Sequence, residues 1–453
     1  MIQAFPRFAP MLDAAVETPL RVAQAVPAVA ARVAPIASTG AVGRPSHTDD
    51  QVALPNEIWG EIASFSSRKD ILNLRTTCLA LKAEAETAVT TLSLLGNDDL
   101  LNFINTQGFR HVKLLRLLGI DGAGLQHLGR HLLAHPRHDL TIDIAEDAYH
   151  GLEQGLMSLQ GVPLAGLQLS TSVNEPVCRS LMACAVPIAL RGFFSRQELT
   201  AASRLTSLTK LATHSRYFDD DVATSFSSHT ALQSLLLQAS EEFTSAGVER
   251  IARIETLREL SIQEGIYSAA PIDAAAAAAL AANPCLELLR FHTSIQPFSE
   301  ATFRALAASR SLKRIAISSG RGLHHLARIA SLEHIKLSGR CDVPGVIDVT
   351  SARALAGMST LRCFSVAAAR FEGDGLFVML RDCMAEALHL TDMPLDNVAV
   401  SGLLANVHVR ELSLVNTGQT AEETAALSCH PTLTRLHIDY ANVALRGRLT
   451  SHP

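Results

Sequence analysis

Short runs in which apolar and polar residues alternate recur along most of the chain, each preceded three positions earlier by one further apolar residue. The form is L-x-x-L-x-L, clearest at Leu232/Leu235/Leu237, Leu257/Leu260/Ile262, Leu286/Leu289/Phe291, Leu312/Ile315/Ile317 and Leu433/Leu436/Ile438. Alternation with a period of two marks a short strand with one buried face. Taking the middle apolar residue as a marker gives Leu92, Leu115, Leu140, Leu167, Leu190, Leu211, Leu235, Leu260, Leu289, Ile315, Ile335, Phe364, Leu388, Leu412 and Leu436. The distance from Leu92 to Leu436 divides into fourteen steps averaging about 24.6 residues, the shortest 20 and the longest 29.

A second register accompanies the first, because an apolar residue sits six positions before the first strand residue. The pairs are Phe226 and Leu232, Ile251 and Leu257, Leu280 and Leu286, Leu306 and Leu312, Leu326 and Leu332, Leu355 and Leu361, Leu403 and Val409, and Leu427 and Leu433. Each repeat therefore predicts a short strand and a return helix, neither of which buries its apolar face until the next repeat stacks on it. The period lies in the leucine-rich-repeat range, so the predicted fold is an α/β solenoid of parallel strands and return helices, of about fifteen repeats over residues 89–445 with a short tail at 446–453. The pattern is partly lost near Leu190 and Ala385. The turn asparagine usual in such repeats stands only at Asn97, with Ser172, Ser240, Ser294 and Thr417 in the equivalent place elsewhere, which predicts that hydroxyls or backbone groups tie adjacent turns.

Residues 51–88 have another rhythm. Leu54-Pro55-x-Glu57-Ile58 places Pro at a first helical position and Glu near the positive helix start. Ile58, Ile62 and Phe65 then form one apolar stripe, and Asp70 can cap a second helix carrying Ile71, Leu74, Cys78 and Leu81. At these residues the segment resembles an F-box, with Ser66, Thr77 and Leu81 where that pattern usually has a large apolar residue, Val and Trp. The resemblance implies that Leu54, Pro55, Ile58, Ile62, Phe65, Ile71, Leu74 and Cys78 dock into a Skp-family adaptor, and through it a cullin ubiquitin ligase. The bland alternative is that the same helices only cap the array and shield the first repeat.

Ala279-Leu280-Ala281, Ala305-Leu306-Ala307 and Ala354-Leu355-Ala356 lie in the helical parts of the repeats, with Gly122-Ala123-Gly124 and Gly247-Val248 at earlier turns. Small side chains let a helix lie close to its neighbour. Over residues 54 to about 440 the chain also resembles the GALA family of F-box, leucine-rich-repeat type III effectors of plant-pathogenic bacteria. That resemblance implies a protein secreted into a host cell, acting in its cytoplasm or nucleus on a target held by the repeats.

Composition narrows the remaining classes. Aromatics are only 5% of residues, which suits stacked Leu and Ala layers. A net charge of −5 gives no bulk electrostatic reason to bind nucleic acid or an anionic membrane. The eight Cys carry no C-x-x-C pair, as expected of buried thiols in a reducing compartment. No apolar run is long enough to span a bilayer; the longest Ala stretch, Ala274 to Ala279, is bounded by Asp273 and Asn283-Pro284. Residues 1–50, rich in Ala, Val and Pro, read as a disordered leader. Prolines at 6, 10, 19, 27 and 35 break both a secretory h-region and the amphipathic helix of a mitochondrial presequence, whereas the flexible leader of a type III effector has this composition.

Candidate chemistry is thin. His131, His135 and His138 have helical spacing, but Pro136 interrupts that helix, so no metal ligand and no cofactor are assigned. Cys341-Asp342 invites comparison with the nucleophile of bacterial ligases, but repeats running to Ile438 leave no room for a catalytic domain, and an ordinary thiol is expected. Gly320-Arg321-Gly322 lacks the context of a phosphate-binding loop. The expectation is a non-enzyme. What remains is the face of the strands, where Arg258, Glu259, Gln263, Lys313, Arg314, Glu333, His334, Lys336, Arg410, Glu411, Arg435 and His437 line a ribbon expected to hold a protein target.

Overall fold

The computed structural model describes residues 90–105, 111–145, 151–170, 173–240, 242–264, 272–292, 298–318, 320–339 and 345–439. The strands are β1 (Thr91–Leu95), β2 (Leu114–Leu118), β3 (Thr141–Ala145), β4 (Gly166–Ser170), β5 (Ile188–Gly192), β6 (Leu208–Thr213), β7 (Ser234–Ala239), β8 (Glu259–Glu264) and β9 (Leu288–His292). They continue as β10 (Arg314–Ser318), β11 (His334–Ser338), β12 (Gly345–Ile347), β13 (Cys363–Ala367), β14 (Ala369–Phe371), β15 (Ala387–Thr391), β16 (Glu411–Val415) and β17 (Arg435–Asp439). Fifteen of them form one parallel sheet in chain order, while β12 and β14 pair separately.

Return helices follow the strands: α1 (Gly96–Asn105), α2 (Gly122–Ala134), α3 (Leu152–Met157), α4 (Glu175–Met182), α5 (Arg196–Ala202), α6 (Asp220–Phe226) and α7 (Ser245–Ala252). The later ones are α8 (Ala274–Ala282), α9 (Glu300–Leu306), α10 (Val349–Ala356), α11 (Gly375–Asp382), α12 (Asn397–Ala405) and α13 (Ala421–Ser428). Between β10 and β11 the return is a 3-10 helix, Leu323–Arg328.

The six-residue offset has a direct physical basis. Its helical member and the first strand residue both face the interior, and Phe226, Ile251, Leu280, Leu306, Leu326, Leu355, Leu403 and Leu427 are all buried, as are Leu232, Leu257, Leu286, Leu312, Leu332, Leu361 and Val409. Leu433 is only partly covered, as are Leu436 and Ile438 of β17. Each strand is thus one layer of a continuous core. Burying one such Leu side chain stabilises by roughly 1.5–3 kcal/mol, and it does so only where the neighbouring layer is in place.

Two repeated devices were not read from the sequence. Ten helices start at an Asp, Asn, Ser or Thr whose side chain accepts a backbone N–H of the first turn: Asp121, Asn174, Ser195, Asp219, Thr244, Asp273, Ser299, Asp348, Asp396 and Thr420. The residue before nine of these caps is apolar and buried: Ile120, Val173, Phe194, Phe218, Phe243, Ile272, Phe298, Ile347 and Leu395. The pair fixes where the chain turns from strand to helix, as a hydrophobic staple does. Gln419 takes that place before Thr420. At the other end of the repeat, hydroxyls donate to carbonyls of the preceding strand entrance: Thr256 to Leu232 at 2.8 Å, Ser331 to Leu312 at 2.9 Å, Thr360 to Leu332 at 3.0 Å and Thr432 to Val409 at 3.0 Å.

The expected turn ladder is only partly present. Asn97 Oδ1 accepts from the Asp121 N–H at 3.4 Å, and Ser240 Oγ donates to the Phe218 carbonyl at 3.1 Å. At Thr417 the backbone does the tying, its carbonyl accepting from Leu395 N–H at 3.1 Å, while its hydroxyl turns to Gln419. Ser172 and Ser294 lie outside the described residues.

Two strand markers need correction. Ile142, not Leu140, stands opposite Leu115, and Leu167 pairs with Ile188, not Leu190. Between β5 and β6 the register shifts: Ile188 faces Leu208 but Ala189 faces Lys210, leaving Thr209 as an extra residue whose hydroxyl donates to the Ile188 carbonyl at 3.0 Å. Beyond that point Leu211, Leu235, Leu260, Leu289, Ile315, Ile335, Phe364, Leu388, Leu412 and Leu436 form one unbroken row.

Candidate interaction surface

The residues expected to bind a target are brought onto successive strands, and all are exposed or half-buried. They divide into rows. Arg258, Lys313 and Arg410 immediately precede strands, and Glu259, Arg314, His334 and Arg435 open them. At this entrance one carbonyl commonly accepts two N–H groups of the next strand, as Arg258 O does from Glu287 and Leu288 at 2.8 and 2.9 Å. The chain turns outward there, so the side chains are free to be charged. Lys336 and His437 belong to a middle row, set between the two inward-facing apolar residues of each strand, and Gln263 lies two residues beyond it.

Much of the entrance row is neutralised from within. Glu287 takes Arg258 at 3.0 Å on one oxygen and Lys313 at 3.2 Å on the other. Glu411 holds Arg435 at 3.0 Å, Glu259 reaches Arg314 at 3.9 Å and Glu333 reaches Arg362 at 3.9 Å. Such exposed pairs contribute roughly 0–1 kcal/mol each, so a partner can displace them cheaply.

The middle row has a different character. In register it reads Ser261, Arg290, Ala316, Lys336, Ser365, His389, Ser413 and His437, with no carboxylate. Burial lowers the pKa of His389 despite Glu411 nearby, Lys336 lowering it further, and burial likewise lowers that of His334. Among the described residues neither Lys336 nor Arg410 has a carboxylate partner. The stripe offers the cations Arg290 and Lys336 among neutral hydrogen-bonding groups.

Other candidates fare differently. Helix α2 ends at Ala134, so His135 and His138 fall in the turn. The His131 and His135 rings approach to 4.8 Å, while His138 does not join them as a ligand set among the described residues. The expectation assigned no metal ligands, yet the fold collects Glu300, His324 and His325, whose ligand atoms lie within 4.8 Å of one another. Gly322 adopts φ +91° and starts the 3-10 helix, so the Gly320-Arg321-Gly322 turn serves that element. Cys178, Cys184 and Cys383 are buried, and burial pushes their thiols up to about 11, far from a reactive thiolate. Cys429, by contrast, is exposed. Leu54, Pro55, Ile58, Ile62, Phe65, Ile71, Leu74, Cys78 and Cys341 lie outside the described residues. Among the described residues, no helix is long and apolar enough to cross a membrane.

One parallel sheet in chain order, each strand returned by a helix and each layer completing its neighbour, defines a leucine-rich-repeat solenoid. No protein-family model matches the chain, and no curated protein matches it. Among solved structures, the internalin inlF of Listeria monocytogenes is 14% identical, covering 87% of this chain and 100% of that one with a TM-score of 0.37. TLR13, solved as a complex with ssRNA13, is 17% identical with a TM-score of 0.39, over 72% of this chain and 43% of that one.

Proposed function

We propose that this chain is a non-catalytic substrate receptor: residues 51–88 engage a Skp-family adaptor of a host cullin ubiquitin ligase, and the sheet face holds the protein to be modified. The observation that carries it is the Leu54-Pro55-x-Glu57-Ile58 pattern, with its second helix through Cys78, placed directly ahead of a solenoid whose sheet face is exposed. The mechanism is tethering. Binding adaptor and target on one chain raises the local concentration of target lysines near the ligase, with no bond made or broken by this chain. The carboxylate-free middle row points to an acidic segment on the target, and the resemblance to type III effectors points to delivery from a bacterium into the host cell.

A pulldown of Skp-family adaptors tests it, comparing the full chain with the Leu54→Ala/Pro55→Ala variant. Recovery by the wild type and at least about tenfold less by the variant is expected, since both residues belong to the apolar anchor. Equal recovery, or none by either, overturns the adaptor reading. An interaction scaffold, which rests on the sheet face alone, would then stand.

A further inference from the structure

The step from Ile315 to Ile335 spans 20 residues, and its return is a single 3-10 helix rather than an α-helix. Gly322 makes this possible. A side chain at its positive φ would strike Glu300, the first residue of α9, so glycine lets the turn lie directly against that helix. His324 and His325 follow side by side, ring centroids 4.1 Å apart. The His324 N–H donates to Ser351 Oγ at 3.2 Å, which donates to Asp348 at 2.8 Å, holding the turn from the α10 side. The His325 side chain is 6% exposed, with Nε2 3.3 Å from Glu300 Oε1.

Both imidazoles keep a buried Nδ1 with no hydrogen-bond partner. Elsewhere the same solenoid satisfies its buried histidines. His229 meets the Leu205 carbonyl through Nε2 at 2.8 Å and accepts the Ala231 and Leu232 N–H groups on Nδ1, and His430 repeats the pattern with Leu404 and Thr432. A buried unsatisfied polar nitrogen costs roughly 1–3 kcal/mol. Both rings also contribute a nitrogen to the cluster with Glu300, so the two imidazoles combine an unmet polar atom each with a shared carboxylate neighbour.

We propose that Glu300, His324 and His325 form a binding site for a divalent transition-metal ion of the Zn2+ class. Two imidazole nitrogens and one carboxylate oxygen match that ion's preferences, leaving one coordination position for water or a partner's side chain. Ligands of a tetrahedral Zn2+ site stand about 3.3 Å apart, so the set has to contract. Glu300 supplies the movement: its side chain is 52% exposed, and it need only release the exposed Arg304, now 2.8 Å away. The ion would pin α9 to the 3-10 turn that replaces the return α-helix. This inference is independent of what the sheet face or the amino-terminal segment binds.

The test uses the full chain, stripped with a chelator and titrated with Co2+ by visible absorption and with Zn2+ by calorimetry and thermal unfolding. The wild type is expected to bind one equivalent with ligand-field bands of an N/O site, and to unfold at higher temperature with Zn2+. Glu300→Gln and His324→Gln, folded by circular dichroism, should lose at least about tenfold in affinity and the thermal shift. His131→Ala/His135→Ala should keep both. Absence of binding by the wild type, wild-type affinity in Glu300→Gln, or loss confined to the His131/His135 variant overturns the proposal.

Discussion

Between α2 and α3 the backbones approach until only glycine fits: a Cβ on Gly122 would strike the Gly151 carbonyl, and one on Gly155 would press on Leu125 and Gly122. Between α6 and α7 large rings set the spacing, with Phe218 stacked on Phe226 at 5.9 Å and edge-on to Phe243 at 5.7 Å. The sheet face differs in the same sense. On the amino-terminal strands Arg116 bonds Asp143 at 2.9 Å, the carboxylate only 3% exposed and one of its oxygens without a partner. On the later strands the ion pairs are exposed and shared, as around Glu287. The α2–α3 contact thus rests on backbone approach and the α6–α7 contact on side-chain volume, and the Thr209 register shift lies between them. Removing volume should harm the α6–α7 contact most, and adding it should harm the α2–α3 contact.

The largest effect is expected from Phe218→Ala, which empties the centre of three rings. It should destabilise the repeats around α6 and α7 by about 3–5 kcal/mol, read as a lower urea midpoint. Gly122→Ala should cost about 1–3 kcal/mol although alanine favours helix, because the added methyl meets backbone that cannot turn away. Hydrogen exchange should show that loss in α2 and α3, with β8 to β16 still protected, since each repeat contacts only its neighbours. Equal loss of protection along the whole array would erase the distinction between the two contacts. Arg435→Ala, removing an exposed partner of Glu411, should change stability by less than about 1 kcal/mol while leaving unfolding cooperativity as it was.

The later repeats were the more legible in sequence, for a physical reason. From Leu232 on, strand and helix positions keep one offset, so two apolar registers cross-check each other. Earlier, period two alone cannot distinguish Leu140, Ile142 and Ile144, three alternating residues that are all buried, and the frame slid by two. Leu190 is level with Leu211 but stands beside Leu169 rather than Leu167, so it fits the rows on one side only. The entrance charges could be read because a charged pair recurs between the first two apolar positions, but their mutual neutralisation depends on which repeats lie side by side. Glu300 was missed because its partners come one repeat later, adjacent in the stack and distant along the chain. The apolar residue before nine of the ten caps stands in the sequence itself: Phe194-Ser195, Phe218-Asp219, Phe243-Thr244 and Phe298-Ser299 share a form that a scan for strands alone passes over.

Thr209 also bears on how such an array can change over generations. Strands before it carry their apolar pair two positions lower, relative to the sheet ladder, than strands after it, and β6 bridges the two heights with Leu208 and Leu211. A duplicated repeat can be copied on its own side and find its rows level with its neighbours. Moved across Thr209, it would meet them two positions out of step, which predicts that among the described strands β6, carrying both heights, tolerates deletion least.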